Sequence, residues 1–321
     1  MNDNLIKTND NKPFYKRRLF WIILSSIILI IIIIVIVVVV KKNSSKDNTT
    51  KENKEYIPYM CLDSNNKPSK NCLGGWFYHL SDNTAEYNAN FAKSKNWNYV
   101  LLSLSVPSKR TMENIKAFRN QNISVHFMTL QKTDYLYDPQ SAFDEIEKIL
   151  IYVNNNSLDI QGIHIDVEPH ATSKWKSGDN DLRNKIFQNY TKILENCRKA
   201  INKYRPNMTF SAAVGWFYSS KTKKNEIIGG KGNDLVNKNK LDFLIPMIYD
   251  GAGNTLSDIL KHSDDYLNDK ANTVIGLAVL DHGDNLQNII NQVVENRKNS
   301  SYFYGISLFS NHKFSDWGTG N

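Results

Sequence analysis

The sequence predicts an α/β protein built as a (β/α)8 barrel, with one transmembrane helix before it. From Leu73 onward, short and almost wholly apolar runs alternate with helical patterns about eight times. Buried parallel strands that are covered by helices read as apolar runs of this kind. About 250 residues of strand–helix repeat is also the usual size of such a barrel. An open doubly wound sheet is the alternative, but no glycine-rich phosphate loop follows the first predicted strand.

The N-terminal region has the composition of a membrane anchor. Residues 1–18 form a polar, basic tail, residues 19–40 form an apolar run rich in Ile and Val, and residues 41–55 form a polar linker. The apolar run is long enough to cross the roughly 30 Å hydrocarbon layer as a helix. It continues directly into Lys41 without a small-residue cleavage site, which indicates an uncleaved anchor instead of a signal peptide.

The short N-terminal tail favours a cytoplasmic N-terminus, so we expect residues 56–321 to face the exterior or a secretory lumen as a single-pass type II protein. Cys61 and Cys72 lie close together in a loop-like segment, and a disulfide between them would fit an oxidising compartment. Cys197 falls on the apolar stripe of a predicted helix and is expected to be a reduced core thiol. Asn-x-Ser/Thr glycosylation acceptors occur at Asn122, Asn189, Asn207 and Asn299, although such tripeptides arise by chance in an Asn-rich chain.

The basic character of the chain belongs mainly to the predicted anchor region. Residues 1–54 contain ten basic and four acidic side chains, so +6 of the formal net charge of +8 lies there. The remainder is close to neutral. The charge therefore indicates the flanks of a membrane segment, and we expect no nucleic-acid partner.

The predicted elements alternate along the chain. The predicted strands are residues 73–79, 99–104, 124–130, 162–168, 209–215, 243–250, 273–280 and 303–310. The predicted helices are residues 84–95, 111–121, 142–154, 181–204, 256–268 and 285–298. The helix at 181–204 has the clearest three- and four-residue apolar spacing. Residues 222–239 give the weakest helical pattern because three glycines interrupt it.

The fourth predicted strand carries a row of titratable side chains. In the run Gln-Gly-Ile-His-Ile-Asp-Val-Glu at residues 161–168, His164, Asp166 and Glu168 share one face, and the apolar residues share the other. In a closed barrel this polar face points into the interior, where desolvating two carboxylates and an imidazole costs several kcal/mol without partners. We interpret the row as catalytic, with a buried structural network as the alternative.

Side chains that follow the other strands support a sugar-binding cleft. Function in a (β/α)8 barrel collects at the carboxyl ends of the strands. Carboxylates cluster at the ends of strands four, six and seven, and large aromatics such as Trp76, Tyr78 and Trp216 crowd strands one and five. Aromatic faces beside a pair of carboxylates are typical of the substrate-binding cleft of a glycosidase.

These residues resemble the family-18 chitinase-like glycoside hydrolases over roughly residues 73–317. The family's fourth strand has the form Asp-Gly-x-Asp-x-Asp-x-Glu, matched at residues 161–168. Its sixth strand ends in Met-x-Tyr-Asp, matched at residues 247–250. Strands seven and eight also look like theirs. The chain departs from the pattern at Gln161 and His164, which replace two aspartates, and at Phe309, where a tryptophan often floors the cleft. The Ser-x-Gly-Gly pattern of the third strand is absent.

The resemblance implies roles for particular side chains. Glu168 would be the general acid, with its pKa raised by burial and by the charge of Asp166. Asp166 would orient the substrate's own N-acetyl group, which is the nucleophile in this family. Tyr249 would donate a hydrogen bond to the acetyl oxygen, and Asp250 would support the acid or bind a hydroxyl. His164 would hydrogen-bond Asp166, or it would be a buried histidine whose hydrogen bonds are satisfied and which does not titrate. The expected substrate-binding side chains are His164, Trp76, Tyr78, Trp216, Met247 and Phe309.

The sequence thus predicts a membrane-anchored glycosidase of N-acetylhexosamine-containing glycans, whose partners are a carbohydrate and the membrane. It indicates neither a cofactor nor a metal. A sugar-binding barrel without turnover is the main alternative, and the intact pair of Asp166 and Glu168 speaks against it. A metal-dependent hydrolase using His79, His126, His164 and Asp166 is less favoured, because these residues lack a short ligand spacing. A tethered scaffold without catalysis leaves the inward polar row unexplained.

Overall fold

A closed barrel of eight parallel strands forms the centre of the molecule, as the sequence predicts. The computed structural model describes residues 56–78, 80, 83–249 and 251–310. The strands are β1 (Cys72–Phe77), β2 (Tyr99–Ser103), β3 (Ser124–Thr129), β4 (Gly162–Ile165), β5 (Thr209–Gly215), β6 (Phe243–Met247), β7 (Thr273–Ala278) and β8 (Phe303–Phe309). They pair in chain order, and β8 pairs with β1 to close the sheet.

Helices cover the outside of the barrel. They are α1 (Ala85–Ser94), α2 (Lys109–Asn120), α3 (Pro139–Asn155), α4 (Ser173–Lys176), α5 (Asn180–Tyr204), α6 (Tyr218–Lys223), α7 (Gly232–Leu235), α8 (Leu256–Leu267), α9 (Val279–His282) and α10 (Leu286–Arg297). Side-chain caps explain several starts: Thr84, Ser108 and Thr255 each accept a hydrogen bond from a backbone N–H in the first turn. The weak pattern after β5 corresponds to two short helices, α6 and α7, in place of one long helix.

Two apolar layers stabilise the barrel. Outward side chains such as Ile163 and Ile165 pack under the helices, against the buried stripe of α5. Cys197 lies on that stripe as a buried free thiol, which confirms its predicted place. Inward side chains such as Trp76 and Met128 fill the barrel interior. The alternation predicted for the fourth strand therefore puts His164 inside the barrel, where it is fully buried.

The segment before β1 closes the amino-terminal end of the barrel. The carbonyl of Met60 lies 2.8 Å from Nε2 of His126, and Tyr59 forms two backbone hydrogen bonds with the hydroxyl of Thr209. Cys61 and Cys72 form a disulfide with a Cα–Cα distance of 5.6 Å, as predicted. The disulfide attaches this segment covalently to the first barrel strand.

The structure differs from the prediction in the fourth strand. β4 ends at Ile165, so Asp166 and Glu168 lie in the loop that follows, and Pro169 begins a short 3-10 helix, Pro169–Ala171. Proline has no N–H to donate to a sheet, so Pro169 excludes an extension of the strand beyond Glu168. Among the described residues, no helix has both the length and the apolar composition needed to cross a membrane. The predicted tail, anchor and linker at residues 1–55 lie outside the described part.

Candidate active site

Polar and aromatic side chains from the ends of β1, β4, β6 and β8 converge at the carboxyl end of the barrel. The residues concerned are Trp76, Tyr78, His164, Asp166, Glu168, Met247, Tyr249 and Phe309. Parallel strands carry all their carboxyl ends to one rim, which explains why residues so distant in sequence meet there. The electrostatic influence of Asp166, Tyr249 and Glu168 on Tyr78 places these four groups in one neighbourhood. The structure therefore brings together most of the predicted site.

Asp166 has one engaged and one unengaged carboxylate oxygen. Its Oδ2 accepts a hydrogen bond from the Tyr78 hydroxyl at 2.9 Å. Its Oδ1 is shielded from solvent and has no hydrogen-bond partner in the described part of the chain. Burial raises the pKa of Asp166, and the Tyr78 hydrogen bond partly offsets that rise. A buried acceptor without a partner costs free energy, and the N–H of a bound ligand would satisfy it.

Tyr78 serves as a fixed hydrogen-bond donor. Burial is the largest cause of its raised pKa, and the negative charge of Asp166 adds to the shift. The phenol therefore stays protonated at neutral pH and continues to donate to Asp166. This bond fixes the rotation of the Asp166 carboxylate, so that Oδ1 keeps one orientation.

His164 contacts different partners from those expected. The indole N–H of Trp76 donates to Nε2 of His164 at 3.2 Å, and Nδ1 lies 2.9 Å from the hydroxyl of Ser211. Because both ring nitrogens are engaged, the predicted hydrogen bond from His164 to Asp166 is wrong. Burial lowers the pKa of His164 well below its usual value. A neutral side chain thus occupies the position of the family's second aspartate.

Glu168 lies beside a histidine that sequence reasoning did not single out. Its side chain is 35% exposed, and Nε2 of His170 lies 3.6 Å from its Oε2. Nδ1 of His170 is 2.8 Å from the hydroxyl of the buried Tyr218. Burial, reinforced by the charge of Lys176, lowers the pKa of His170 to about 4. The position of His170 in the loop after the fourth strand was the available signal for a site residue.

Aromatic rings form one wall of the site. Phe309 stacks on Tyr249 with a centroid distance of 5.1 Å and an interplanar angle of 12°. The edges of Trp76 and Tyr78 contact the same phenylalanine at 6.1 and 6.2 Å. Met247, which is 7% exposed, closes the interior below. Such a wall presents apolar faces on which sugar rings can lie.

Two predicted site residues are not placed with the others. Trp216 packs against the outer apolar layer, and its ring centroid lies 3.9 Å from that of His262 in α8. Asp250 lies outside the described residues, so its role stays a prediction, as does sugar binding by Trp216. Within the described ranges, no three side chains of metal-binding type are grouped as a metal site.

The comparisons with known proteins concern the fold. No protein-family model matches the sequence, and the comparison with curated proteins finds no match. Among solved structures, the chain is similar to a GH18 chitinase from Pseudoalteromonas aurantia, with 18% identity over 76% of this chain and 96% of the other, and a TM-score of 0.51. It is also similar to the Thermomonospora fusca β-mannanase in its mannohexaose complex, with 11% identity over 81% and 88% of the chains and a TM-score of 0.53.

These similarities define a class of fold. The barrel is glycoside hydrolase-like, and it resembles the chitinase-like barrels that the strand-four and strand-six patterns indicated. At these identities the likeness extends to the fold alone, so the function has to be argued from the site.

Proposed function

We propose that this chain is a glycoside hydrolase of the chitinase-like type. It would hydrolyse bonds next to N-acetylhexosamine units by a retaining, substrate-assisted mechanism. The observation that supports this most directly is the state of Asp166: Tyr78 fixes one oxygen, while the other is buried and unpartnered two residues before Glu168. An amide N–H of the substrate is the group that such an oxygen would accept.

In the proposed first step, Glu168 donates its proton to the glycosidic oxygen as the bond from that oxygen to the anomeric carbon breaks. The carbonyl oxygen of the substrate's acetamido group forms the new bond to the anomeric carbon. Asp166 accepts the amide N–H and stabilises the positive charge of the resulting oxazolinium ion. In the second step, the Glu168 carboxylate takes a proton from water, whose oxygen attacks the same carbon as the bond from that carbon to the acetamido oxygen breaks, which restores the neutral acetamido group. Two inversions give net retention.

The remaining side chains bind the sugar in this proposal. Tyr249 donates to the acetyl oxygen, and Phe309, backed by the buried Trp76, supports the apolar face of the ring. Asp250 supports the acid or binds a hydroxyl, a role that rests on the resemblance. His164 does not contact the sugar in this proposal. It accepts the hydrogen bond that holds the Trp76 indole in place from inside the barrel.

The discriminating experiment compares two substrates. The full-length chain is incubated with a chitin tetrasaccharide and with its fully de-acetylated form, and products are followed by mass spectrometry. Only the acetylated substrate carries its own nucleophile, so it alone should be cleaved. Equal rates would favour an ordinary two-carboxylate glycosidase. Binding of both without cleavage would favour the sugar-binding alternative.

We also propose that residues 19–40 anchor the protein and that the barrel faces away from the cytosol. The length and composition of the apolar run support the first point, and the Cys61–Cys72 disulfide supports the second. Protease added to sealed vesicles with the cytosolic face outward should spare the barrel. Digestion of the barrel in those vesicles would reverse the topology.

A further inference from the structure

A cavity lies at the start of the fifth crossover, after β5. Its volume is about 700 Å³, and it lies where α6 and α7 stand in place of one long helix. The rings of Trp175, Trp216 and Phe217 line it, together with Lys224 and Lys261. The mechanism proposed above uses none of these five side chains.

One wall of this cavity adjoins the proposed general acid. The Phe217 ring contacts the edge of His170 with a centroid distance of 5.4 Å. Nε2 of His170 lies 3.6 Å from Oε2 of Glu168. A single imidazole therefore separates Glu168 from the aromatic wall of the cavity.

The charges of the cavity favour an anion. The carboxylate of Glu226 is engaged by Lys221 at 2.6 Å and by Arg183 at 3.3 Å. The carboxylate of Asp265 is engaged by Lys223 at 2.9 Å.

Two lysines of the cavity lining, Lys224 and Lys261, have no carboxylate partner of this kind among the described residues. In the part of the chain that the structure describes, neither Lys224 nor Lys261 takes part in an ion pair. The pKa of His262 is lowered by burial and further by Lys261, which keeps that imidazole neutral. Three lysines (Lys221, Lys224 and Lys261) and two carboxylates (Glu226 and Asp265) thus line the cavity, which leaves a net charge of +1.

We propose that this cavity binds a negatively charged sugar unit, such as a uronic acid. The aromatic rings would contact the ring carbons, and Lys224 and Lys261 would bind the anionic substituent. An acidic unit is favoured over a neutral one because a hydrogen bond from an ammonium group to a carboxylate is charge-assisted and stronger than one to a hydroxyl. The inference rests on the proposed function in one respect: the glycan that reaches Glu168 also supplies the acidic unit.

The test measures binding without turnover. The full-length chain carrying Glu168→Gln is titrated calorimetrically with a hyaluronan tetrasaccharide, which alternates N-acetylglucosamine with glucuronic acid, and with a chitin tetrasaccharide. Replacing both lysines (Lys224→Gln with Lys261→Gln) should weaken hyaluronan binding about tenfold and leave chitin binding unchanged. The matched control replaces Lys192 and Lys199, exposed lysines of α5, by Gln and should change neither affinity.

A second measurement needs no lysine variant. Raising the ionic strength should weaken hyaluronan binding and leave chitin binding unchanged, because screening acts on charged ligands. Equal affinities of the lysine variant and the control, equal salt dependence of both ligands, or no hyaluronan binding would each overturn the inference. Cleavage of chitin by the unmodified chain is scored separately, so this result does not decide the proposed function.

Discussion

The indole nitrogen of Trp76 and Nε2 of His164 are 3.2 Å apart in the barrel interior, and this contact fixes the tautomer of the histidine. An indole N–H can only donate, so Nε2 must accept. The single proton of the imidazole then lies on Nδ1, which donates to Ser211 at 2.9 Å. A protonated imidazole would carry a proton on Nε2 as well, and that N–H would point at the indole N–H of Trp76. This agrees with the lowered pKa of His164.

This arrangement predicts that His164 contributes strongly to stability. His164→Ala should lower the free energy of unfolding by about 3 kcal/mol or more, because it leaves a cavity and an indole N–H without an acceptor. Ser211→Ala removes one hydrogen bond and should cost about 1 kcal/mol. Urea unfolding of both variants measures the difference. Equal losses would show that the Trp76 contact adds little.

Glu168→Gln tests the general acid. The amide keeps the size of the side chain but has no acidic proton, so turnover of a chitin tetrasaccharide should fall by about 10²–10⁴-fold. Sugar binding should persist, because the wall of Tyr249 and Phe309 is unchanged. The measurement is kcat alongside calorimetric affinity. Unchanged turnover would remove Glu168 from the mechanism.

His170 is predicted to be a positioning residue for Glu168. His170→Phe keeps a ring against Phe217 but removes the nitrogen that lies 3.6 Å from the carboxylate. We expect kcat to fall about tenfold with little change in KM, because the acid would be less well aligned while the sugar wall stays intact.

Tyr218→Phe is the matched control for His170. It removes only the hydroxyl that holds Nδ1 and should lower kcat by a smaller factor. A change confined to KM in either variant would instead assign His170 to substrate binding.

Acid should destabilise the fold through buried histidines. Nε2 of His126 donates to the Met60 carbonyl, and Nδ1 has no partner among the described residues. Burial lowers the pKa of His126 to about 4, as it does for His170. The unfolded chain therefore binds protons near pH 6.5 that the folded chain rejects. Stability is fully present above that pH and is lost as the pH falls towards 4, on the order of 3 kcal/mol per histidine.

Urea midpoints between pH 7 and 4.5 check this dependence. The raised pKa of Asp166 acts in the opposite direction, since the folded state then holds a proton more tightly than the unfolded chain. His126→Gln should flatten the curve, because glutamine can still donate to Met60 without titrating. An equally steep curve in that variant would assign the dependence to other groups.

The sequence predicts the barrel and the inward face of the fourth strand because both follow from periodicity. His164 and the apolar residues beside it obey the two-residue period inside β4. The contacts of His164 were not predictable in the same way, since Trp76 and Ser211 come from other strands at a register that the sequence does not state. The two-residue period predicts side-chain direction only within the strand. Glu168 lies beyond the end of β4, so its position depends on the conformation of the loop.

Trp216 illustrates a second limit. Aromatic residues at three successive positions, 216–218, fit either face of a strand end, and composition alone does not choose between them. In the structure Phe210, Ala212 and Val214 face outward, and Trp216 continues that outward row. The two-residue alternation along β5 predicts the outward direction of Trp216 only once the inward face of that strand is known.

The contacts of Tyr59 and Met60 also constrain the order in which the protein can be made. Tyr59 bonds a residue 150 positions later, and Met60 bonds one 66 positions later. During vectorial synthesis this segment leaves the ribosome before the barrel strands, yet its last partner, Thr209, emerges only after more than half of the barrel. Until then the Cys61–Cys72 ring can hold it as a small local loop. Nascent chains arrested before β5 should therefore expose Met60 to chemical oxidation, whereas completed chains, in which Met60 is fully buried, should protect it.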